Sequence, residues 1–397
     1  MIKVRYQFPS NINPEKQAQI IAVGQTVGSW GAQFSHRAAA MQAHMGQVLE
    51  INTLANGRYE ALIGFPQINC ENDVGSLLTM IFGKFSLAGP ARITEITLPD
   101  DFGTPAKIGM EGIRQRTGVK DRPLIMGIFK PALGLTAGDH AELLDQVAAA
   151  GLDIIKDDEI NFNLQTAPTV DRVKACAAVI EKHRQSSGKE ILYAVNLSGR
   201  ADKLVDNALH LIDAGANALL FNAICYGYSC LEAIAAHPEI NVPVFTHPAL
   251  AGAIGGATQG DNDYGIAYPV LLGTLMKYAG ADAVLYPAHY GSLPFNANDE
   301  FAIRDILRSK RGSHLPSLPV PSAGIHPGIM SRAVKDYGND VALNAGSAIF
   351  DHPQGPYAGT RAFFEALEAV QLNKKLIASN FDNGPLRAAL EKWGEEQ

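Results

Sequence analysis

The chain is poor in cysteine, in clustered positive charge and in long apolar runs, and each shortage removes a class of function. Four cysteines, Cys70, Cys176, Cys225 and Cys230, stand among 397 residues and form no CxxC pair. They are read as reduced thiols rather than a disulfide frame or a zinc site. Lys and Arg number 33 against 40 Asp and Glu, for a net charge of −7. Nucleic-acid binding needs clustered Lys and Arg, and no such cluster appears, so no nucleic-acid partner is expected. No apolar run reaches the roughly 18 residues of a membrane span, so no membrane partner is expected. The opening MIKVRYQFPSNINPEK turns polar within a few residues. No signal peptide and a cytoplasmic location are therefore expected.

What is present suits a globular enzyme with a sizeable core: 47% of residues are hydrophobic and 18% charged. From about residue 120, short β-branched runs alternate with Ala- and Leu-rich amphipathic stretches. The runs predict strands at Leu124–Lys130, Asp153–Glu159, Ile191–Leu197, Ala218–Ile224, Pro243–His247, Asp282–Ala288, Leu318–Gly324 and Val341–Ala348. A helical pattern follows each, the last around 359–370. Eight consecutive βα units predict an α/β fold of the (β/α)8 TIM barrel type over residues 116–397, with C-terminal helices. Residues 1–115 differ. Alternating stretches at Lys3–Phe8, Gly46–Asn52 and Tyr59–Phe65, with helical stretches around 14–23 and 74–83, predict an α+β ferredoxin-like domain ahead of the barrel.

The most unusual stretch is Gly151-Leu-Asp-Ile-Ile-Lys-Asp-Asp-Glu159. Four consecutive charges end an apolar strand, where they are costly unless paired or bound to a metal. Strand alternation turns Lys156 and Asp158 one way and Asp157 the other. With Glu159 at the strand's end, the group reads either as a solvated charge cluster or as a hard-oxygen Mg²⁺ site, the latter only if the lysine is no longer a cation. Barrel enzymes build their sites at the carboxyl ends of the strands. The other ends supply Lys130, Asn196, Asn222, His247, Ser322 with Gly324, and Asn344 with Gly346 and Ser347. Ser322, Gly324, Gly346 and Ser347, after strands seven and eight, sit where barrels commonly bind phosphate. Lys130 and His247 are read as substrate-binding and catalytic rather than as a surface lysine and a structural histidine. His289 falls in a loop open to substrate or solvent, and His326 reads equally well either way.

Here the sequence resembles a known family. GIFKPALGLT (127–136), GLDIIKDDE (151–159), THP (246–248), SAGIHPG (322–328), NAGS (344–347) and TVGSW (26–30) are similar, in order, to segments of the RuBisCO large-chain superfamily. The resemblance implies that Lys156 takes up CO₂ as a carbamate and binds Mg²⁺ together with Asp158 and Glu159. It also shows departures. Ala132 and Ser292 stand where carboxylases carry lysines, Leu285 replaces a histidine, and Gly24 and Lys84 replace a glutamate and an asparagine. CO₂ fixation is therefore not expected, and the chain resembles the RuBisCO-like, non-carboxylating branch (form IV).

Within that branch TVGSW, LLTMIFGKFSL (77–87), LYAVNLSGR (192–200) and PVPSAGIHPG (319–328) are similar to the 2,3-diketo-5-methylthiopentyl-1-phosphate enolases of methionine salvage. This resemblance implies a Mg²⁺-dependent enolase or isomerase of a phosphorylated ketone, with Lys84 as the proton-abstracting base. It further implies a homodimer or larger assembly, in which Lys84 reaches the barrel mouth of a partner subunit. One segment departs: NAGSAIFDHP (344–353) replaces a triple glycine, and Asp351 would repel a phosphate if it faced one. The alternatives are a lyase that decarboxylates a phosphorylated 3-keto sugar acid such as 3-oxo-isoapionate 4-phosphate, and a non-catalytic binding protein.

Overall fold

The structure, a computed structural model, describes residues 1–87, 89–255 and 264–396. Its amino-terminal sheet is built from β1 (Ile2–Phe8), β2 (Gln47–Thr53), β3 (Tyr59–Phe65) and β4 (Arg92–Thr97). In β1, Ile2, Val4, Tyr6 and Phe8 are all buried, so alternation places one face of the strand on a core. The four strands pair antiparallel in the order β4-β1-β3-β2, which is the expected ferredoxin-like arrangement. The helix Pro14–Gly24 starts where expected: the Asn13 side chain accepts from Lys16 N at 2.7 Å, and Pro14 occupies the first turn. The helical stretch expected at 74–83 is the short helix Val74–Leu78 followed by one π-helical turn, Thr79–Gly83. The turn Ala32–Arg37 and the helix Ala38–His44 carried no recognised sequence signal; no residue of either is buried.

The second sheet runs through β5 (Leu124–Ile128), β6 (Ile154–Lys156), β7 (Leu192–Leu197), β8 (Ala218–Phe221) and β9 (Val244–Thr246). A two-residue strand, β10 (Gly265–Ile266), intervenes and pairs with β4, tying the barrel chain to the amino-terminal sheet. The series resumes with β11 (Ala283–Pro287), β12 (Leu318–Ser322) and β13 (Ala342–Ala345). Eight parallel strands in the order β12-β11-β9-β8-β7-β6-β5-β13 make a nearly closed barrel. Among the described residues, no backbone ladder joins β12 to β13. A side-chain bond from Asn344 Nδ2 to Ser322 Oγ, 2.9 Å, spans that seam.

Most barrel strands are shorter than expected, because pairing stops before Lys130, Asp158, Asn222 and His247, although Lys156, Asn196, Ser322 and Asn344 are still paired. Their parity matches a barrel all the same. Leu124, Met126, Ile154, Leu192, Ala194, Leu220, Phe245, Leu285 and Val320 form one buried cluster, the inner packing. The intervening residues, such as Ile155, Tyr193, Val195, Leu219 and Val284, join the larger core shared with the helices. The helix Gly109–Thr117 crosses the expected domain boundary and adds Ile113 to the inner cluster. Asp282, at the amino end of β11, accepts from Ile108 N at 2.9 Å and from Gly109 N at 2.7 Å, fixing that helix to the barrel floor. Among the described residues, no helix is long and apolar enough to cross a membrane.

Candidate active site

Continuing the inner parity to the carboxyl ends of the strands gives, besides Pro287 on β11, Lys130, Lys156 with Asp158, Asn196, Asn222, His247, Ser322 and Asn344. The barrel therefore gathers at one mouth the polar ends that the sequence had scattered over more than 200 residues.

Charges occupy one wall of this mouth. Lys130 Nζ donates to Asp158 Oδ2 at 2.7 Å. Burial disfavours the Asp158 carboxylate, but the Lys130 ammonium outweighs it and holds the pKa below the usual carboxylate value. Lys156 is 1% exposed; its Nζ donates to the Asp157 carbonyl at 2.9 Å and lies 3.8 Å from Glu159 Oε2. Burial lowers its pKa in spite of the nearby Glu159, Asp158 and Asp157 carboxylates. His247 Nε2 lies 3.4 Å from Glu159 Oε2. Burial and then the Lys156 charge hold the His247 pKa well below its usual value. Its Nδ1 accepts from Ala249 N at 3.2 Å, so the neutral ring carries its proton on Nε2, toward Glu159.

The part of the rim that follows β12 and β13, next to Lys130 on β5, is neutral. Ser322 Oγ donates to the Val320 carbonyl at 3.1 Å and accepts from Asn344, so its hydroxyl is already engaged within the protein. The turn after it has Ala323 at φ 67° and Gly324 at φ 101°. The loop after β11 is seated on this turn through Ser292 N, which donates to the Ala323 carbonyl at 2.7 Å. Gly346 lies directly against Lys130: a Cβ there would meet Lys130 Cε at 3.4 Å. Ser347 opens the short helix Ser347–Phe350, whose first N–H groups have no partner within the helix.

Other expected residues are placed differently. His289 does not sit in an open loop. Its ring lies 2.6 Å from Glu300 Oε2 through Nδ1, and Arg332 approaches its Nε2 at 2.7 Å, so both nitrogens are occupied. Asp351 turns away from the mouth to Lys392, with Oδ2 at 2.8 Å from its ammonium. His326 packs against Gly328 and Gly394, its Nδ1 is buried with no partner among the described residues, and burial lowers its pKa. Lys84 is exposed on the amino-terminal domain, where it lines a shallow groove with Gly28 and Ser29 of the TVGSW segment. Leu285 is buried among the inner barrel residues. Sequence reasoning missed Arg172 and Tyr193, which hold Asp157 on the outer side of β6 at 3.0 and 2.7 Å. A fully buried arginine on a helix leaves no periodic signal that could have revealed it.

The donor set decides whether a divalent cation can be held here. Among the described residues, no three His, Cys, Asp or Glu side chains come together around one point. Asp158 and Glu159 alone offer too few anionic oxygens for a hard cation. Lys156 lies beside both, buried and with its ammonium form disfavoured, and a carbamate on its amine would add the missing oxygens. Among the described residues, the side-chain oxygens of Asn196, Asn222 and Asn344 are buried without donors, an oxygen-rich setting suited to a hard cation and its water. The residues fit Mg²⁺, provided that Lys156 is carbamylated.

Residues 109–393 match the family described as ribulose bisphosphate carboxylase large chain, catalytic domain. A 2,3-diketo-5-methylthiopentyl-1-phosphate enolase from Microcystis aeruginosa is 53% identical over 393 residues, covering 99% of this chain and 100% of its own. The crystal structure of a RuBisCO-like protein (MtnW) from Alicyclobacillus acidocaldarius superposes with a TM-score of 0.90 at 39% identity, covering 99% of both chains. A dimeric archaeal RuBisCO from Hyperthermus butylicus shares the fold, with a TM-score of 0.87 at 22% identity over 99% of this chain and 96% of its own.

Proposed function

We propose that this chain, which belongs to the RuBisCO large-chain family, is a Mg²⁺-dependent enolase acting on a phosphorylated diketone of the 2,3-diketo-5-methylthiopentyl-1-phosphate type. The observation that carries the reading is the wall formed by Lys130, Lys156, Asp158, Glu159 and His247 at one barrel mouth. The enolases' 53% and lower identities extend over the full length, so the reading covers the whole chain. Ser292 and Leu285 leave no lysine or histidine at the positions where a carboxylase would use them.

Carbamylated Lys156, Asp158 and Glu159 would hold the cation. When bound, Mg²⁺ would supply the positive charge that stabilises the negative charge growing on the ketone as a C–H proton leaves. Lys130 directs its ammonium into the same space and orients the substrate oxygens. Neutral His247 offers its Nε2–H as a hydrogen-bond donor and holds a proton at that atom. The phosphate rests against the backbone N–H groups of Gly324, Gly346 and Ser347, with the Ser322 side chain supporting the turn rather than donating to it. Lys84 takes the proton. It stands on the amino-terminal domain, and a second copy of the chain brings it to the mouth, so the working unit is a homodimer or a multiple of one. A cytoplasmic location goes with this chemistry, because the substrate is a phosphorylated metabolite.

Incubating the protein with the phosphorylated diketone, Mg²⁺ and bicarbonate in D₂O tests the reading. Solvent deuterium appears in the substrate or the enol product, and the Lys156→Ala variant shows neither exchange nor turnover. Release of CO₂ from a phosphorylated 3-keto acid without such exchange would replace the enolase with a decarboxylase.

A further inference from the structure

Two asparagines on neighbouring strands grip one carbonyl of the charged wall. Asn196 Nδ2 donates to the Glu159 carbonyl at 3.0 Å and to the Asn161 carbonyl at 3.3 Å. Asn222 Nδ2 donates to the same Glu159 carbonyl at 3.3 Å. A carbonyl accepts and cannot donate, so both side chains must present their NH₂ groups to Glu159. Their orientation is thereby fixed, and each Oδ1 faces away. Asn196 and Asn222 are 0% and 4% exposed, and both Oδ1 atoms are buried without a donor among the described residues.

Two features make this more than ordinary packing. The ladder between β6 and β7 ends at Lys156, so the backbone at Glu159 has left the sheet, and these amides are what anchor its carbonyl. The grip also falls on the residue whose carboxylate lies near both Lys156 and His247. A side chain at a strand end swings with its peptide plane. Two amides on one carbonyl restrict that swing and leave the carboxylate a narrow range.

We propose that Asn196 and Asn222 are positioning residues for the cation site, a role that rests on the metal reading above. Their NH₂ groups set the Glu159 main chain so that its carboxylate stays on the Lys156 side. Their Oδ1 atoms accept hydrogen bonds from donors that arrive with the loaded site, namely water on the cation or a substrate hydroxyl. Outer partners that orient metal ligands typically change affinity by about 10–100-fold when removed.

The test uses the full-length protein and two variants, Asn222→Ala and Asn222→Leu. The first deletes one hydrogen bond and leaves Asn196 in place; the second keeps the branched four-atom shape without an amide. Mn²⁺ serves as the probe, titrated by water-proton relaxation with and without bicarbonate, and amide exchange is followed at Ile160 and Asn161 in the metal-free protein. Variants that melt as the wild type does show faster exchange at these two amides and roughly 10-fold weaker bicarbonate-dependent Mn²⁺ binding. Their kcat falls while KM for the phosphorylated ketone changes little. Unchanged exchange in both variants overturns the proposal. A wild-type protein without bicarbonate-dependent Mn²⁺ binding overturns the carbamate reading instead, and the exchange measurement still decides whether the clamp exists.

Discussion

Asp157 and Arg172 form an ion pair of 3.0 Å in which neither side chain is exposed to solvent. The pair lies on the outer side of β6, behind the charged wall. Asp157 also accepts from Tyr193 Oη at 2.7 Å and from Asn196 N at 3.0 Å. Arg172 donates further to the Phe162 and Asn161 carbonyls at 3.1 and 3.2 Å. One buried guanidinium thus fastens the loop that follows Lys156-Asp-Asp-Glu159 to the helix Thr169–Ser187.

Removing one partner of such a pair leaves a buried charge uncompensated, a loss of roughly 3–5 kcal/mol. Arg172→Met is expected to fall in that range by urea unfolding, and adding Asp157→Asn to it is expected to recover part of the loss. A single Arg172→Met variant as stable as wild type would show that the pair does not hold the loop.

The inner wall was legible because period-two alternation carries from apolar residues to their polar neighbours. Knowing that Ile154 faces inward places Lys156 and Asp158 inward too. The supports behind it were not legible. Arg172 and Tyr193 meet Asp157 from a different helix and strand, across 15 and 36 residues. Asp351 and His289 show the converse limit. Each stood at a plausible position in the sequence, and only the packing of Lys392 and Glu300 shows that other groups hold them.

A second prediction concerns pH and the join between the two domains. Glu232, on the helix Tyr228–Ala236, accepts from Val74 N at 3.2 Å, at the start of a helix of the amino-terminal domain. Burial, opposed by this hydrogen bond and assisted by Asp73, pushes its pKa from 4.5 up to about 7. The native state therefore holds this proton more tightly than the unfolded chain does. The contribution is complete below pH 4.5 and is lost as pH rises through about 7. Linkage caps the fall between those values at about 3 kcal/mol, and solvent screening of the partly shielded carboxyl brings the expected loss to roughly 1–2 kcal/mol. Glu232→Gln should flatten that part of the curve in denaturant melts taken across the range, and an unaltered slope would refute the assignment.

Gly291 gives a third. A methyl group there would lie 1.9 Å from the Ala323 carbonyl oxygen, a backbone atom that cannot step aside alone. Gly291→Ala must therefore lift the loop off the Ala323-Gly324 turn and break the bond from Ser292 N. If that turn presents N–H groups to phosphate, KM should rise by about 10-fold, the order expected for one lost hydrogen bond to a charged group, with kcat changed less. Steady-state kinetics with the phosphorylated ketone checks this. An unchanged KM would move the phosphate site elsewhere in the mouth.

The shared-site arrangement makes the most demanding prediction. Lys84 is exposed, and among the described residues its side chain takes part in no hydrogen bond or ion pair, whereas Lys156 is sealed inside the barrel. If base and cation site come from different subunits, Lys84→Ala and Lys156→Ala each inactivate the homodimer. Mixed and allowed to re-associate, the two variants form hybrids in about half of the dimers. Each hybrid has one mouth with both lesions and one with neither. Activity should therefore return to about a quarter of the wild-type value, and the recovery should require subunit exchange. Separately inactive variants that stay inactive after exchange, with hybrid formation verified by native mass spectrometry, would place both residues in one chain's site. The dimer would then not be needed to complete it.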